Sequence, residues 1–232
     1  DYVVVLLLNC SCAVLSALHH MYLSDADFAF MLRSTLEYAK IYNLLGFSLL
    51  LSYVVIAPPP AEKITISQLL QHRSGIFNIT NRLDYPIYRT KPHTEEELLA
   101  KMMEGGSVFE PDSKADYSNS NYILLTFILE KISGKTYENL VQESILNPLQ
   151  MKETYIFGAI SVEKGETKSY IYNGHWQEDL EAQASIPRGA GALTSTVGNL
   201  SKFASGLFEG KLVSEQSLAQ MKEIKDGFGR GM

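Results

Sequence analysis

A run of polar side chains around Tyr117 carries the groups best suited to chemistry, reading Asp-Tyr-Ser-Asn-Ser-Asn over residues 116–121. A phenol can transfer a proton, but a free tyrosine titrates near 10 and becomes a base near neutrality only where cations favour the phenolate. An asparagine amide can both donate and accept hydrogen bonds. The run directly precedes an apolar helical pattern, so the simplest alternative is that Ser118, Asn119 or Ser120 caps that helix.

Four blocks of the sequence, in this order along the chain, resemble the serine β-lactamase-like family. That family includes class C β-lactamases, D-alanyl-D-alanine carboxypeptidases and related esterases. The blocks are ITISQLLQHRSGI at residues 64–76, FEPDSKADYSNSNYILL at 109–125, ILNPLQMKET at 145–154 and GAGALTST at 189–196. The resemblance covers roughly residues 62–230. It implies an α+β chain with a partial β-lactamase/transpeptidase-like fold, mainly its helical part, with the C-terminal sheet strands missing.

The resemblance also implies a mechanism. In that family a serine attacks an amide or ester carbonyl and becomes acylated, a lysine one helical turn later helps to remove the serine proton, and backbone N–H groups stabilise the oxyanion. Tyr117 matches the family tyrosine that acts as base or proton relay. Asn119 matches the asparagine that positions the substrate and the lysine, and His72 lies in a block that the family uses structurally. No metal and no cofactor is implied, because the acyl-serine route needs neither.

The nucleophile of that mechanism has no clear match. The family's Ser-x-x-Lys motif should precede Ile64, but the sequence has this spacing only at Ser161 and Lys164, after the tyrosine block, and we interpret it as a coincidence. A looser register offers Ser34 as a weak nucleophile candidate, with Glu37 in place of the lysine. An acid there removes the activating base and raises the tyrosine pKa. The family's Lys/His-Thr-Gly motif is also absent, so we predict a serine hydrolase of β-lactamase/DD-peptidase type that is incomplete or inactive.

Composition divides the chain near the three prolines at residues 58–60, which no helix crosses. Only six charged side chains lie in residues 1–60, although the chain has 20 Lys and Arg and 26 Asp and Glu residues. Two uncharged runs, residues 2–18 and 41–57, are at the lower length limit for a membrane-spanning helix. We predict an apolar segment over residues 1–60, either buried core, membrane anchor or a segment without a native fold. Residues 61–232 are predicted to form a β-lactamase-like domain truncated at its C-terminus.

The second segment is predicted to be mainly helical. Capping boxes predict helix starts after Thr65 and Thr94, and Gly75 is predicted to end the first of these helices. Aromatic and β-branched residues within 154–186 favour short strands. Apolar residues at helical spacing predict further helices near residues 122–133, 137–145, 200–207 and 214–221.

The charge pattern and the resemblance together limit the function. A net charge of −6 and the absence of any Lys/Arg-rich run argue against nucleic acid as a partner. The expected partner is a small-molecule or peptide substrate, namely a β-lactam, a D-Ala peptide or an ester. Three hypotheses stay open: an acyl-serine hydrolase, a non-catalytic fragment or binding module of the same fold, and a membrane-associated protein anchored through residues 1–57. The resemblance implies the periplasm or cell envelope as the location.

Overall fold

The computed structural model describes residues 3–4, 63–156 and 160–231. Most of the secondary structure in these ranges is helical, and the strands are short. The helices are α1 (Ile66–Leu70), α2 (Tyr85–Tyr88), α3 (Glu95–Gly105), α4 (Asn119–Ser133), α5 (Tyr137–Val141), α6 (Val197–Phe208) and α7 (Glu215–Met221). The strands are β1 (Val3–Val4), β2 (Tyr155–Ile156), β3 (Tyr170–Tyr172), β4 (Trp176–Glu178) and β5 (Leu193–Thr196). Short 3-10 helices lie at Ile79–Asn81, Val162–Lys164 and Arg188–Ala190, and a π-helical turn, Gln142–Leu146, follows α5.

Helices α1 and α3 begin where the capping boxes predict, because side chains satisfy N–H groups that have no partner inside the helix. At the start of α1, Thr65 Oγ1 accepts from the Gln68 N–H at 3.2 Å, and Gln68 Oε1 accepts from the Thr65 N–H at 2.8 Å. Thr94 and Glu97 form the same reciprocal pair at the start of α3. Both capping boxes are therefore confirmed.

Gly75 does not end α1, so that prediction is wrong. The helix ends at Leu70, and His72 takes a left-handed conformation with φ 55°. Gly75 itself has φ 76°, and a Cβ at this position would lie 2.0 Å from the Phe109 carbonyl oxygen. The glycine is needed because the loop after α1 passes close to the backbone of the segment that leads to α4.

Helix α4 is the core element that supports the polar run before it. The predicted apolar stripe is confirmed, since Tyr122, Leu125 and Leu129 are buried, and burial of each such side chain contributes about 1.5–3 kcal/mol. The 3-10 helix at Arg188–Ala190 packs so closely on α4 that a Cβ on Gly189 would lie 2.2 Å from a hydroxyl of α4. Helix α4 ends at Ser133, where the predicted helix near residues 122–133 ends, and Gly134 follows in a left-handed conformation.

The strands form two small sheets. Strand β5 lies between β1 and β2 in an antiparallel sheet, and β3 and β4 form a separate hairpin. The prediction of short strands within 154–186 is confirmed by β2, β3 and β4. A buried polar contact ties the first sheet to α6, because Thr154 Oγ1 lies 2.7 Å from Ser195 Oγ and accepts from Asn199 Nδ2 at 3.1 Å. The helix-rich arrangement with few strands agrees with the predicted partial α+β fold.

Most predictions for the first segment lie outside the described residues. Of residues 1–60, only the strand β1 is described, and Ser34, Glu37 and the two apolar runs are not among the described residues. In the described ranges, no helix combines the length and the apolar character that a membrane crossing requires. The division of the chain at residue 60 and the membrane anchor therefore stay predictions.

Candidate active site

Tyr117 and Asn119 lie side by side at the start of α4. The Tyr117 side chain is 38% exposed, and its phenol O–H donates to Asn119 Oδ1 at 3.2 Å. Ser118, between them, is buried and takes the extended backbone of an N-cap position, although its side chain makes no cap. Because successive side chains of an extended segment point to opposite sides, Tyr117 and Asn119 share one side and Ser118 takes the other. The phenol of Tyr117 and the amide of Asn119 therefore lie next to each other on the same side of the segment.

The 3-10 helix at Ile79–Asn81 holds Asn119 in place. The Asn119 backbone N–H donates to Asn78 Oδ1 at 3.1 Å, and Asn119 Nδ2 donates to Thr80 Oγ1 at 3.1 Å. Thr80 Oγ1 in turn donates to Asn78 Oδ1 at 2.9 Å. Sequence reasoning did not identify Asn78 or Thr80, because these contacts join positions about 40 residues apart and no local pattern marks them.

His72 packs against the Tyr117 ring and binds the backbone between Tyr117 and Asn119. The side chain is almost fully buried, its Nδ1 accepts the Ser118 backbone N–H at 3.1 Å, and its ring centroid lies 4.4 Å from that of Tyr117. A ring nitrogen that accepts an N–H carries no proton, so the network assigns the neutral tautomer with hydrogen on Nε2. Burial lowers the pKa of His72 to about 4. His72 thus acts as a neutral acceptor and an aromatic support near neutral pH, in keeping with the structural use that the resemblance implies.

Arg73 ties together the three segments around His72. Its buried guanidinium donates from Nε to Asp112 Oδ1 at 2.6 Å and from Nη1 to Asp226. Lys225 Nζ also contacts Asp112 Oδ1, at 2.8 Å. The hydrogen bonds from Lys225 and Arg73 hold the pKa of Asp112 below its usual range. The loop after α1, the segment before α4 and the turn at residues 225–228 are therefore joined by charged contacts next to the candidate site.

The Ser-x-x-Lys spacing at Ser161 and Lys164 has a geometry unlike that of a nucleophile and its lysine. Ser161 has an extended backbone, and the three-residue 3-10 helix that follows ends at a left-handed Gly165. The Ser161 backbone N–H donates to Glu166 Oε2 at 2.7 Å. No full helical turn holds the serine and the lysine on one face, which agrees with interpreting the spacing as a coincidence. Within the described residues, no group of three or more His, Cys, Asp or Glu residues could hold a metal ion.

Curated proteins include relatives that align with this chain over part of their own length. Putative penicillin-binding protein PbpX of Bacillus subtilis (strain 168) is 27% identical over 168 residues, which cover 70% of this chain and 40% of that protein. Teichoic acid D-alanine hydrolase of Staphylococcus aureus is 23% identical, with 66% of this chain and 37% of that protein covered. The chain thus spans about two fifths of the length of each of these two relatives.

Solved structures share the fold. A D-stereospecific amidohydrolase from Streptomyces sp. superposes with a TM-score of 0.77 at 21% identity, covering 100% of this chain and 70% of that one. The D-amino acid amidase from Ochrobactrum anthropi SV3 superposes with a TM-score of 0.72 at 21% identity, covering 96% and 61%. The fold is therefore β-lactamase/transpeptidase-like, as the resemblance implied. Since the model of the family described as Beta-lactamase matches residues 50–229, most of the 232 residues, the chain belongs to the Beta-lactamase family.

Proposed function

We propose that this protein is an acyl-serine hydrolase for β-lactams, D-alanyl peptides or small esters, with Tyr117 as its proton-transfer residue and Asn119 as its positioning residue. The observation that carries the proposal is the hydrogen-bonded pair itself, a part-exposed phenol that donates to an amide at 3.2 Å. The proposed substrates take their support from the relatives, which include penicillin-binding proteins and a teichoic acid D-alanine hydrolase.

The pair suits the two halves of acyl transfer. In the first half, the serine oxygen bonds to the substrate carbonyl carbon and gives up its proton, and the departing amine or alkoxide takes up a proton. In the second half, water attacks the acyl-serine, releases the acid and returns a proton to the serine. A phenol has one hydrogen and oxygen lone pairs, so Tyr117 can relay these protons if it meets the serine. Ser34 is the nucleophile candidate, and Lys40 takes the role of the family lysine, because the acid Glu37 at the matching position cannot supply the lysine's positive charge.

A second candidate function is a non-catalytic binding module of the same fold. The observation that favours it is the geometry at Ser161, because the one Ser-x-x-Lys spacing of the sequence does not lie on an α-helical turn. Such a module binds the same ligands at Tyr117 and Asn119 without forming an acyl-serine.

Covalent labelling separates the two functions. The purified protein is incubated with a fluorescent penicillin and, separately, with a fluorophosphonate, and intact mass is followed by peptide mapping of any adduct. The hydrolase proposal expects one adduct, on Ser34, that is lost in Ser34→Ala. Folded protein that binds the penicillin reversibly without gaining mass would instead establish the binding module. An adduct on Ser161 would contradict the order of motifs on which both candidates rest.

We further propose that the protein acts in the periplasm or at the cell envelope, where the substrates of penicillin-binding proteins are found. Membrane association through residues 1–57 belongs to the same proposal. Fractionation of cells that express the chain, with and without detergent, tests both statements. Recovery in the detergent-soluble membrane fraction supports the anchor. Recovery in the cytoplasmic fraction would contradict the location.

A further inference from the structure

Two backbone N–H groups fix the orientation of the Asn78 amide. The N–H groups of Thr80 and Asn119 point at the same end of this side chain, at 3.3 and 3.1 Å. A backbone N–H can only donate, so the atom that faces both of them must be the carbonyl oxygen. The choice between O and N, which is often arbitrary for an asparagine, is therefore settled here by the backbone.

The hydroxyl of Thr80 links the Asn78 amide to the Asn119 amide, and it fixes the orientation of Asn119. Thr80 Oγ1 lies 2.9 Å from Asn78 Oδ1 and 3.1 Å from Asn119 Nδ2. A hydroxyl has a single hydrogen, and Asn78 Oδ1 can only accept, so the hydrogen of Thr80 is directed at Asn78. Only lone pairs of Thr80 are left to face Asn119. The Asn119 atom that faces Thr80 must consequently be the NH₂ group.

The orientation of Asn119 then determines what Tyr117 does. With its NH₂ group on Thr80, Asn119 turns Oδ1 towards the phenol oxygen at 3.2 Å. An amide oxygen accepts and cannot donate, so the phenol must be the donor. An ionised Tyr117 would set its negative oxygen against this carbonyl oxygen and would lose the hydrogen bond.

We propose that Asn78 and Thr80 are positioning residues, and that the directed chain Tyr117→Asn119→Thr80→Asn78 holds Tyr117 as a neutral phenol with its hydrogen on Asn119. The catalytic meaning of this chain rests on the proposed function, whereas its direction is a property of the fold. Because the phenol hydrogen points at Asn119, the Tyr117 oxygen can meet other groups only as an acceptor. Tyr117 therefore receives hydrogen bonds from donors such as a serine hydroxyl or a ligand ammonium group, and it relays a proton only once its own hydrogen has turned away from Asn119.

Other titratable groups near Tyr117 include His72, Asp116 and Lys114. His72 is neutral near physiological pH because burial lowers its pKa to about 4. Asp116 precedes Tyr117 in the chain, and its Oδ2 lies 3.9 Å from Lys114 Nζ. The negative charge of Asp116 and the positive charge of Lys114 therefore partly cancel. The hydroxyl of Thr80 can consequently be removed without altering any of these charges, which makes Thr80 the cleanest position at which to test the chain.

The test is the ionisation of Tyr117, followed by NMR of protein labelled with 13C-tyrosine. The sequence has 13 tyrosines, and loss of a signal in Tyr117→Phe assigns the relevant one. In Thr80→Val the Asn119 NH₂ group loses its 3.1 Å acceptor and keeps only the longer contact to Asn78 Oδ1, at 3.5 Å. The amide then turns its NH₂ group towards Tyr117 more readily, which stabilises the phenolate. We expect the titration midpoint of Tyr117 to fall by about one pH unit in this variant, and to stay within about 0.3 unit in Thr80→Ser, which keeps the hydroxyl.

The matched control is Thr90→Val. It removes a hydroxyl that donates to the Ile87 carbonyl oxygen at 2.8 Å, and it should leave the Tyr117 midpoint unchanged. In the unaltered protein, the Asn119 NH₂ protons should give stronger nuclear Overhauser effects to Thr80 than to the Tyr117 ring. This measurement keeps the test valid should Thr80→Val fail to fold.

The proposal is overturned if Thr80→Val leaves the midpoint where it is, if Thr80→Ser shifts it equally, or if the Overhauser effects favour Tyr117. None of these readouts needs turnover. A shift as expected, without a penicillin adduct, therefore contradicts the hydrolase proposal and upholds the chain. A penicillin adduct together with an unchanged Tyr117 midpoint in Thr80→Val supports the hydrolase proposal and contradicts the directed chain.

Discussion

Acid should weaken this fold through His72, and the structure sets both the sign and the size of the effect. The pKa of the buried imidazole is lowered from 6.5 to about 4. Between these values the unfolded chain binds a proton that the folded chain excludes, so the free energy of unfolding decreases as the pH falls. A shift of this size corresponds to about 3 kcal/mol, present in full above pH 6.5 and lost progressively as the pH falls to about 4.

The perturbation that isolates this effect is His72→Asn. Asparagine tolerates the left-handed backbone at φ 55°, offers an oxygen to the Ser118 N–H and does not titrate in this range. Urea unfolding of both proteins at pH values from 6.5 to 4 should show the wild type losing about 3 kcal/mol more than the variant. His175→Asn, in the exposed β3–β4 hairpin, keeps His72 and should follow the wild type. An identical pH dependence of wild type and His72→Asn would refute the reasoning.

Three other predictions concern the core, the charged contacts and the candidate site. Arg73→Gln removes the hydrogen bonds from a buried guanidinium to the half-exposed carboxylates of Asp112 and Asp226, and it should lower the free energy of unfolding in urea by about 1–2 kcal/mol. In Gly189→Ala the new methyl group meets a hydroxyl of α4, and the fold should lose about 1–3 kcal/mol of stability. Gly198→Ala has room within α6 and should gain up to about 1 kcal/mol. Thermal unfolding measures both changes. Tyr117→Phe should slow penicillin acylation by about 10²–10⁴-fold, and Tyr155→Phe, in β2, should not. Equal rates for the two variants would contradict the role of Tyr117.

Local patterns in the sequence determined much of the secondary structure. A capping box depends on residues three positions apart, and an apolar stripe depends on the period of the helix itself. Thr65, Thr94 and the stripe of α4 could therefore be recognised without knowing what packs on them. The blocks that resemble the family also lie on continuous stretches of chain. The family and its fold were thus predictable, and Tyr117 and Asn119 could be named as a pair.

Tertiary contacts decided the properties of that pair. The neutral state of His72 depends on burial under Tyr117, which no neighbour in the sequence reveals. Asn78 and Thr80 orient Asn119 from another part of the chain, and the loop that brings them there needs Gly75 for close packing rather than for ending a helix. A hydrogen bond between distant segments depends on the folded path of the whole chain. The direction of the Tyr117 hydrogen bond was for this reason a property of the three-dimensional structure alone.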